Sequence, residues 1–172
     1  LTNEQVNAAA HEAERAYHGE RTAGLDNLAS TYGGFIYFTK VRPLQFELLH
    51  MRPVGIVIAD TGVVANTKDM IEGVAQRREK KPSEYERIFK QAGDVIRSAK
   101  DALLKLDIEQ VGRLMNENHK LLQAIEVTCP QLDRLVDIAR RNGALGAKQT
   151  GGGGGGCILA LTPDTRAQDN VA

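Results

Sequence analysis

Apolar residues recur at helical spacing in several parts of the chain, and local signals mark where these helices begin. A first helix is predicted from Thr2 to about Tyr17, because Thr2-Asn3-Glu4-Gln5 has the form of a capping box. Three amphipathic helices follow Pro82 in succession and must pack on one another or on a sheet. Their predicted starts are a second capping box at Ser83-Glu84-Tyr85-Glu86, a cap at Asp107 and a first turn at Pro130.

Short apolar runs between the helices predict strands. The predicted strands cover Tyr32 to Lys40, Leu44 to Leu49, Val54 to Ala59 and Cys157 to Leu161. The run from Val54 to Ala59 is continuously apolar and β-branched, which is typical of a strand buried on both faces. Asp60-Thr61-Gly62 ends that strand, and a further helix is expected from about Asn66.

Composition excludes several classes of function. The 172 residues carry 22 Lys+Arg and 22 Asp+Glu, so the chain lacks the net positive charge on which binders of nucleic acid and anionic membranes depend. Its longest apolar run is far too short to span a bilayer. Cys129 and Cys157 have no metal-type spacing, which favours a reducing compartment. We therefore expect a cytoplasmic protein that binds neither nucleic acid nor membrane.

Six consecutive glycines, from Gly151 to Gly156, have two interpretations. They are either a flexible linker or a loop whose bare N–H groups converge on a phosphate or another anion. In the second interpretation Lys148 and Thr150 add a charge and a hydroxyl. The run is not a Walker loop, because no Gly-Lys-Ser/Thr closes it.

Carboxylates near the first helix suggest two kinds of chemistry. His11, Glu14 and His18 share one helix face, which is either a metal site or a solvated surface. Glu14 and Asp26 are separated by a short glycine-containing stretch, so one carboxylate could bind a divalent cation while the other accepts a hydroxyl proton. The alternative for Asp26 is a turn or cap residue.

The segment from Asp60 to Lys68 connects a strand to the start of a helix. Such a helix N-terminus offers free N–H groups and a favourable dipole to an anion. The alternative is an ordinary turn with Asn66 as the helix cap.

Taken in order, these segments resemble the C-terminal part of the mevalonate kinase family, within the GHMP small-molecule kinase superfamily. The stretches that carry the resemblance are Glu14-Arg15-Ala16-Tyr17-His18-Gly19, Gly24-Leu25-Asp26-Asn27, Ser30-Thr31-Tyr32-Gly33-Gly34, Asp60-Thr61-Gly62-Val63, Asn66-Thr67-Lys68, Leu114-Met115-Asn116-Glu117-Asn118-His119, and Gly143-Ala144-Leu145-Gly146-Ala147-Lys148-Gln149-Thr150 with the glycines. The resemblance implies an α+β fold: the second half of a ribosomal-S5-like domain over residues 1–65, then a helix-rich, incomplete GHMP kinase C-terminal domain over residues 66–172.

The activity implied is ATP-dependent phosphorylation of the 5-hydroxyl of mevalonate in isoprenoid biosynthesis. The family's phosphate-cradling Gly-Leu-Gly-Ser-Ser-Ala segment has no counterpart in these residues. We therefore expect an internal portion of a longer kinase, inactive by itself and compatible with a homodimer. Phosphomevalonate kinase, another GHMP kinase and a non-catalytic ligand-binding fragment remain as alternatives.

The resemblance also implies roles for individual residues. Asp26 matches the catalytic aspartate, and Glu14 matches the glutamate that binds Mg²⁺ beside ATP. On the acceptor side, the matching residues are His18, Thr67 and Lys148. The loop that closes on substrate and phosphates corresponds to Gly151, Gly152, Gly153, Gly154 and Gly155.

Three departures from the family pattern accompany these matches. Glu20-Arg21-Thr22-Ala23 replaces a shorter segment with Pro-Ser, so a different path is expected for that loop. Ala65 stands where a basic residue is common. Gly152 replaces the usual alanine and adds flexibility.

Overall fold

The computed structural model describes residues 1–18, 24–39, 41 and 45–172, without the side chains of Tyr17 and His18. Its contacts divide the chain into two units, Leu1–Met51 and Arg52–Ala172. Both units combine helices with antiparallel strands, which confirms the predicted α+β class. The family-domain boundary after residue 65 stays a prediction. In the described part of the chain, every helix is too short or too polar to cross a membrane.

The first unit contains two helices and a two-stranded sheet. Its elements are α1 (Asn3–His18), α2 (Leu25–Tyr32), β1 (Phe35–Thr39) and β2 (Gln45–Leu49). The two strands are antiparallel, with Phe35 opposite Leu49. The rings of Tyr32 and Phe46 lie 4.9 Å apart between centroids and so connect α2 to the sheet. Leu28 of α2 is fully buried.

The predicted capping box at the start of α1 is confirmed. Gln5 N–H donates to Thr2 Oγ1 at 3.3 Å, and Thr2 N–H donates to Gln5 Oε1 at 2.9 Å. Helix α2 was not predicted, because its eight residues are too few to show a helical period. Gly24, with φ of 73°, precedes it. Leu44, the predicted start of β2, lies outside the described residues.

The second unit places helices against a three-stranded antiparallel sheet. Its helices are α3 (Thr67–Lys80), α4 (Pro82–Leu104), α5 (Ile108–Ala124), α6 (Pro130–Arg141) and α7 (Thr165–Val171). Its strands are β3 (Gly55–Asp60), β4 (Gly146–Gln149) and β5 (Cys157–Thr162), in the order β3-β5-β4. The glycine run therefore joins two neighbouring strands, β4 and β5.

The helices of this unit bury their apolar stripes both on the sheet and on one another, as the sequence predicted. One cluster joins α6 to β4 and β5 and contains Leu132, Val136, Ala139, Ala147, Ile158 and Ala160. A second cluster joins α4, α5 and β5 and contains Val95, Ala102, Val111, Leu114 and Leu161. Burial of an apolar side chain contributes about 1.5–3 kcal/mol. The apolar clusters therefore supply most of the stability of α4, α5 and α6.

Strand β3 departs from its prediction. Its apolar run suggested burial on both faces, but Ile56 is 39% and Ile58 is 66% exposed. Val57 and Ala59 point to the opposite face and pack against the α6 cluster. The prediction was wrong because a continuous apolar run does not reveal whether both faces of a strand are covered.

The predicted starts of α4, α5 and α6 have different outcomes. The capping box at Ser83 is wrong: α4 begins one residue earlier at Pro82, so Ser83 already lies in the first turn. Asp107 caps α5 as predicted and accepts a hydrogen bond from Gln110 N–H at 2.9 Å. Pro130 occupies the first turn of α6, also as predicted.

Candidate functional site

Glu14 and the start of α2 are neighbours in the first unit. The Glu14 side chain is only 18% exposed. Its Oε2 accepts a hydrogen bond from the Asn27 side-chain amide, and His11 Nδ1 lies 3.8 Å from the same oxygen. Since Asn27 directly follows Asp26, the structure brings Glu14 to the helical turn that carries Asp26.

Asp26 lies exposed in the first turn of α2. It is not the helix cap, because Gly24 holds that position without a side-chain cap bond. The cap interpretation is therefore wrong, because the Asp26 carboxylate does not cap α2. Its position in the first turn is still electrostatically favourable, because the positive end of the helix dipole lies there.

The metal interpretation of His11, Glu14 and His18 remains a prediction. Within the described residues, no group of three or more His, Cys, Asp or Glu side chains could hold a metal ion. The side chain of His18 lies outside the described residues, as do Glu20 to Ala23.

The glycine run is a packed loop, so the linker interpretation is wrong. Positive φ values of 78°, 86°, 74° and 75° occur at Gly151, Gly153, Gly154 and Gly156. Gly154 N–H donates to Val127 O at 2.9 Å, and Gly156 N–H donates to Val63 O at 3.0 Å. Side chains at these positions would be strained, and the two bonds fasten the loop to segments before α3 and α6.

The loop and the segment between β3 and α3 line an open cavity of about 380 Å³. Two of the six glycine N–H groups are used by the bonds to Val63 and Val127. Those of Gly151, Gly152, Gly153 and Gly155 donate to no acceptor among the described residues. Free backbone N–H groups in a concave surface are a common way to bind anions.

Thr67 begins α3 at the edge of this cavity. Asn66 caps the helix by accepting Lys68 N–H at 3.0 Å, as one of the two sequence interpretations predicted. The cap does not exclude an anion at this helix N-terminus. A Cβ on Gly152 would lie 2.8 Å from Thr67 Cγ2, so the glycine lets the loop approach this residue closely.

Lys148 belongs to β4, immediately before the glycine loop. Burial lowers the pKa of its ammonium group, because the charged form is poorly solvated there. In the described part of the chain, Lys148 has no carboxylate partner. Binding of an anion beside it would compensate the buried charge.

Sequence analysis missed two residues that contact this strand. Asn116 and His119 of α5 hydrogen-bond to the backbone of β4. Their signal in the sequence was a pair of polar residues, three positions apart, on a helix face that is otherwise apolar. Both residues belong to the stretch from Leu114 to His119 that resembles the kinase family.

Comparison with known proteins identifies relatives over almost the whole chain. Residues 99–172 match the model of the family described as GHMP kinases C terminal. The mevalonate kinase of Thermococcus gammatolerans is 40% identical over 98% of this chain and 51% of that protein. The chain spans about half the length of the curated relatives it matches.

Solved structures agree with these relatives. The L. major mevalonate kinase in complex with R-mevalonate matches with a TM-score of 0.92 and 34% identity, covering 99% of this chain and 53% of that one. The Methanococcus jannaschii mevalonate kinase matches with a TM-score of 0.78 and 26% identity, covering 99% of this chain and 52% of that one.

Proposed function

Since the chain belongs to the GHMP kinases and carries their C-terminal domain over residues 99–172, we propose that the complete protein transfers the γ-phosphoryl group of ATP to the 5-hydroxyl of mevalonate. The observation that carries this proposal is the glycine loop, which packs beside Thr67 and follows Lys148. The reaction belongs to isoprenoid biosynthesis.

In the first unit, Asp26 is proposed to accept the proton of the acceptor hydroxyl. Its exposed carboxylate, free of a capping role, is suited to that task. Glu14 is proposed to hold Mg²⁺, which prefers carboxylate oxygens and few protein ligands. The bond from Asn27 fixes the orientation of the Glu14 carboxylate. When bound, Mg²⁺ neutralises charge on the phosphates of ATP.

In the second unit, Thr67 and Lys148 are proposed to bind the acceptor, and Gly151 to Gly155 to close on acceptor and phosphates. Mevalonate carries a carboxylate, which is the type of anion that a buried ammonium attracts. The free glycine N–H groups supply donors without side chains in the way. His18 is proposed for the acceptor side by its match to the family alone.

The test of this function is an acceptor panel with the complete protein. Purified enzyme with Mg²⁺ and ATP is expected to phosphorylate mevalonate in preference to phosphomevalonate, galactose and homoserine. Preference for another acceptor would mean that the protein is a small-molecule kinase with a substrate other than mevalonate. Failure to turn over any acceptor, with a folded protein, would favour a non-catalytic binding role.

Lys148→Met is expected to weaken acceptor binding without destabilising the protein. Loss of a hydrogen bond to a charged group costs about 1.5–3 kcal/mol, so KM for mevalonate should rise about ten- to a hundredfold. The free energy of unfolding should stay equal or rise, because the apolar methionine removes a half-buried charge that has no carboxylate partner among the described residues. Acceptor kinetics and urea denaturation measure the two effects. Lys90→Met, at an exposed position of α4, is the control, and an unchanged KM for the Lys148 variant would contradict the role.

We also propose that the protein acts in the cytoplasm and as a homodimer. Both cysteines are free thiols, which suits a reducing compartment. Phe89 and Ile96 expose apolar surface on α4, where a second copy could pack. Light scattering of the complete protein measures the mass, and a monomer at working concentration would overturn the dimer.

A further inference from the structure

Strand β4 lies at an edge of its sheet, with β5 on only one side. On its other side, no strand among the described residues pairs with the backbone groups of alternate residues. Two side chains of α5 take the place of that strand. Asn116 Nδ2 donates to Leu145 O at 3.2 Å, and its Oδ1 accepts Ala147 N–H at 3.1 Å. His119 Nδ1 accepts Gln149 N–H at 3.4 Å.

The close approach of α5 to β4 makes these bonds feasible. A Cβ on Gly146 would lie 2.0 Å from Gly112 O, so the two backbones touch where these glycines meet. Asn116 and His119 lie four and seven residues after Gly112, and therefore on the same face of α5. The glycine contact sets the distance from which both side chains reach the strand.

A buried network sets the protonation state of His119. The residue is 4% exposed, and its Nε2 lies 3.1 Å from Asp133 Oδ1 on α6. Because Nδ1 accepts Gln149 N–H, the proton of the neutral ring belongs on Nε2, which donates to Asp133. Thr128 Oγ1 donates to the other oxygen of Asp133 at 3.4 Å.

Charges on two elements face the imidazole. Desolvation lowers the pKa of His119. The carboxylates of Asp133 and Asp137 on α6 raise this pKa, and the ammonium group of Lys148 on β4 lowers it further. The net pKa lies below its ordinary value, so the neutral form is favoured at neutral pH. Protonation of Nδ1 would turn the acceptor for Gln149 N–H into a second donor.

We propose that Asn116 and His119 are positioning residues that hold the outer edge of β4, and so place Lys148 and the start of the glycine loop for acceptor binding. This inference rests on the proposed function of Lys148 and the loop. Neither side chain needs to touch the acceptor. The essential feature of His119 is the unprotonated Nδ1.

Two substitutions of His119 separate its two bonds. In H119N the amide oxygen can occupy the place of Nδ1 and keep the acceptor for Gln149 N–H, while the contact to Asp133 is lost. In H119Q the longer amide reaches toward Asp133, and Gln149 N–H loses its acceptor. Because a buried N–H without an acceptor is unfavourable, the strand should shift in H119Q, and KM for mevalonate should rise at least about fivefold. H119N should stay within about threefold of the native enzyme.

The pH profile distinguishes positioning from a merely structural role. For the native enzyme, kcat/KM should fall on the acid side once the pH drops below the lowered pKa of His119, which lies under the ordinary histidine value of about 6.5, because His119 then becomes protonated. H119N should lack this part of the acid limb. If H119N and H119Q share the native KM and acid limb, the proposal is overturned, even when both unfold at lower denaturant concentration.

Hydrogen exchange gives a readout that does not depend on turnover. In the complete protein, the amide of Gln149 should exchange slowly in the native form and in H119N, and faster in H119Q. Equal exchange in all three forms would overturn the role of His119. The native protein could fail to phosphorylate mevalonate while Gln149 exchange still differs among the three forms as expected. The proposed function would then be wrong, but the role of His119 in positioning β4 would be supported.

Discussion

Asp26→Ala is expected to reduce phosphoryl transfer by about a hundred- to ten-thousandfold in the complete enzyme, the range that general bases contribute. The proposed reason is the loss of the group that accepts the hydroxyl proton. Stability should change little, because Asp26 is exposed and does not cap α2. Its favourable position near the helix dipole accounts for about 0.3–1 kcal/mol. Initial rates at saturating ATP and acceptor, with urea denaturation, measure both quantities.

Asp69→Ala is the matched control for that substitution. Asp69 is also exposed and also lies in the first turn of a helix, α3. Its loss should therefore cost a similar free energy of unfolding with little effect on turnover. Full activity of the Asp26 variant would exclude Asp26 as the base. An equal loss of activity in both variants would mean that the loss comes from removing a carboxylate at a helix N-terminus, and not from removing a base.

The sequence was informative wherever a pattern repeats over many residues. The stripes of α4, α5 and α6 extend over several turns, and each turn repeats the same preference for one buried face. Helix α2 and strand β4 are short, so their periodic signal is weak. β4 was missed for a second reason. Part of its pairing comes from side chains of α5, which no local pattern in residues 146–149 reveals.

The candidate site was predictable in its chemistry but not in its packing. Glycines in sequence allow both a linker and an anion-binding loop, because either role needs only the absence of a Cβ. The carbonyl groups of Val63 and Val127 decide between them, since they come from distant parts of the chain and accept two loop N–H groups. Burial of Lys148 likewise depends on tertiary structure. The resemblance to a kinase family suggested roles that local chemistry left open.

Gly153→Ala is expected to disrupt the glycine loop more than any other single-methyl addition to it. Gly153 has φ of 86°, and a Cβ there would lie 1.9 Å from Val127 O and 2.6 Å from Gln149 Nε2. Val127 O cannot move away easily, because it accepts Gly154 N–H at 2.9 Å. We expect a loss of about 3 kcal/mol or more in the free energy of unfolding, and a large loss of kcat/KM.

Gly156→Ala separates backbone strain from steric conflict. Gly156 has a similar φ of 75°, but a Cβ there would meet nothing within 4 Å. Gly156→Ala should therefore lower the free energy of unfolding only by the cost of a positive φ, which is about 1–2 kcal/mol. Urea denaturation of the two alanine variants measures the difference, which is the cost of the steric conflict with Val127 and Gln149. If both variants lose the same free energy of unfolding, the cost comes from the positive φ alone, and the close packing of Gly153 against Val127 does not contribute to it.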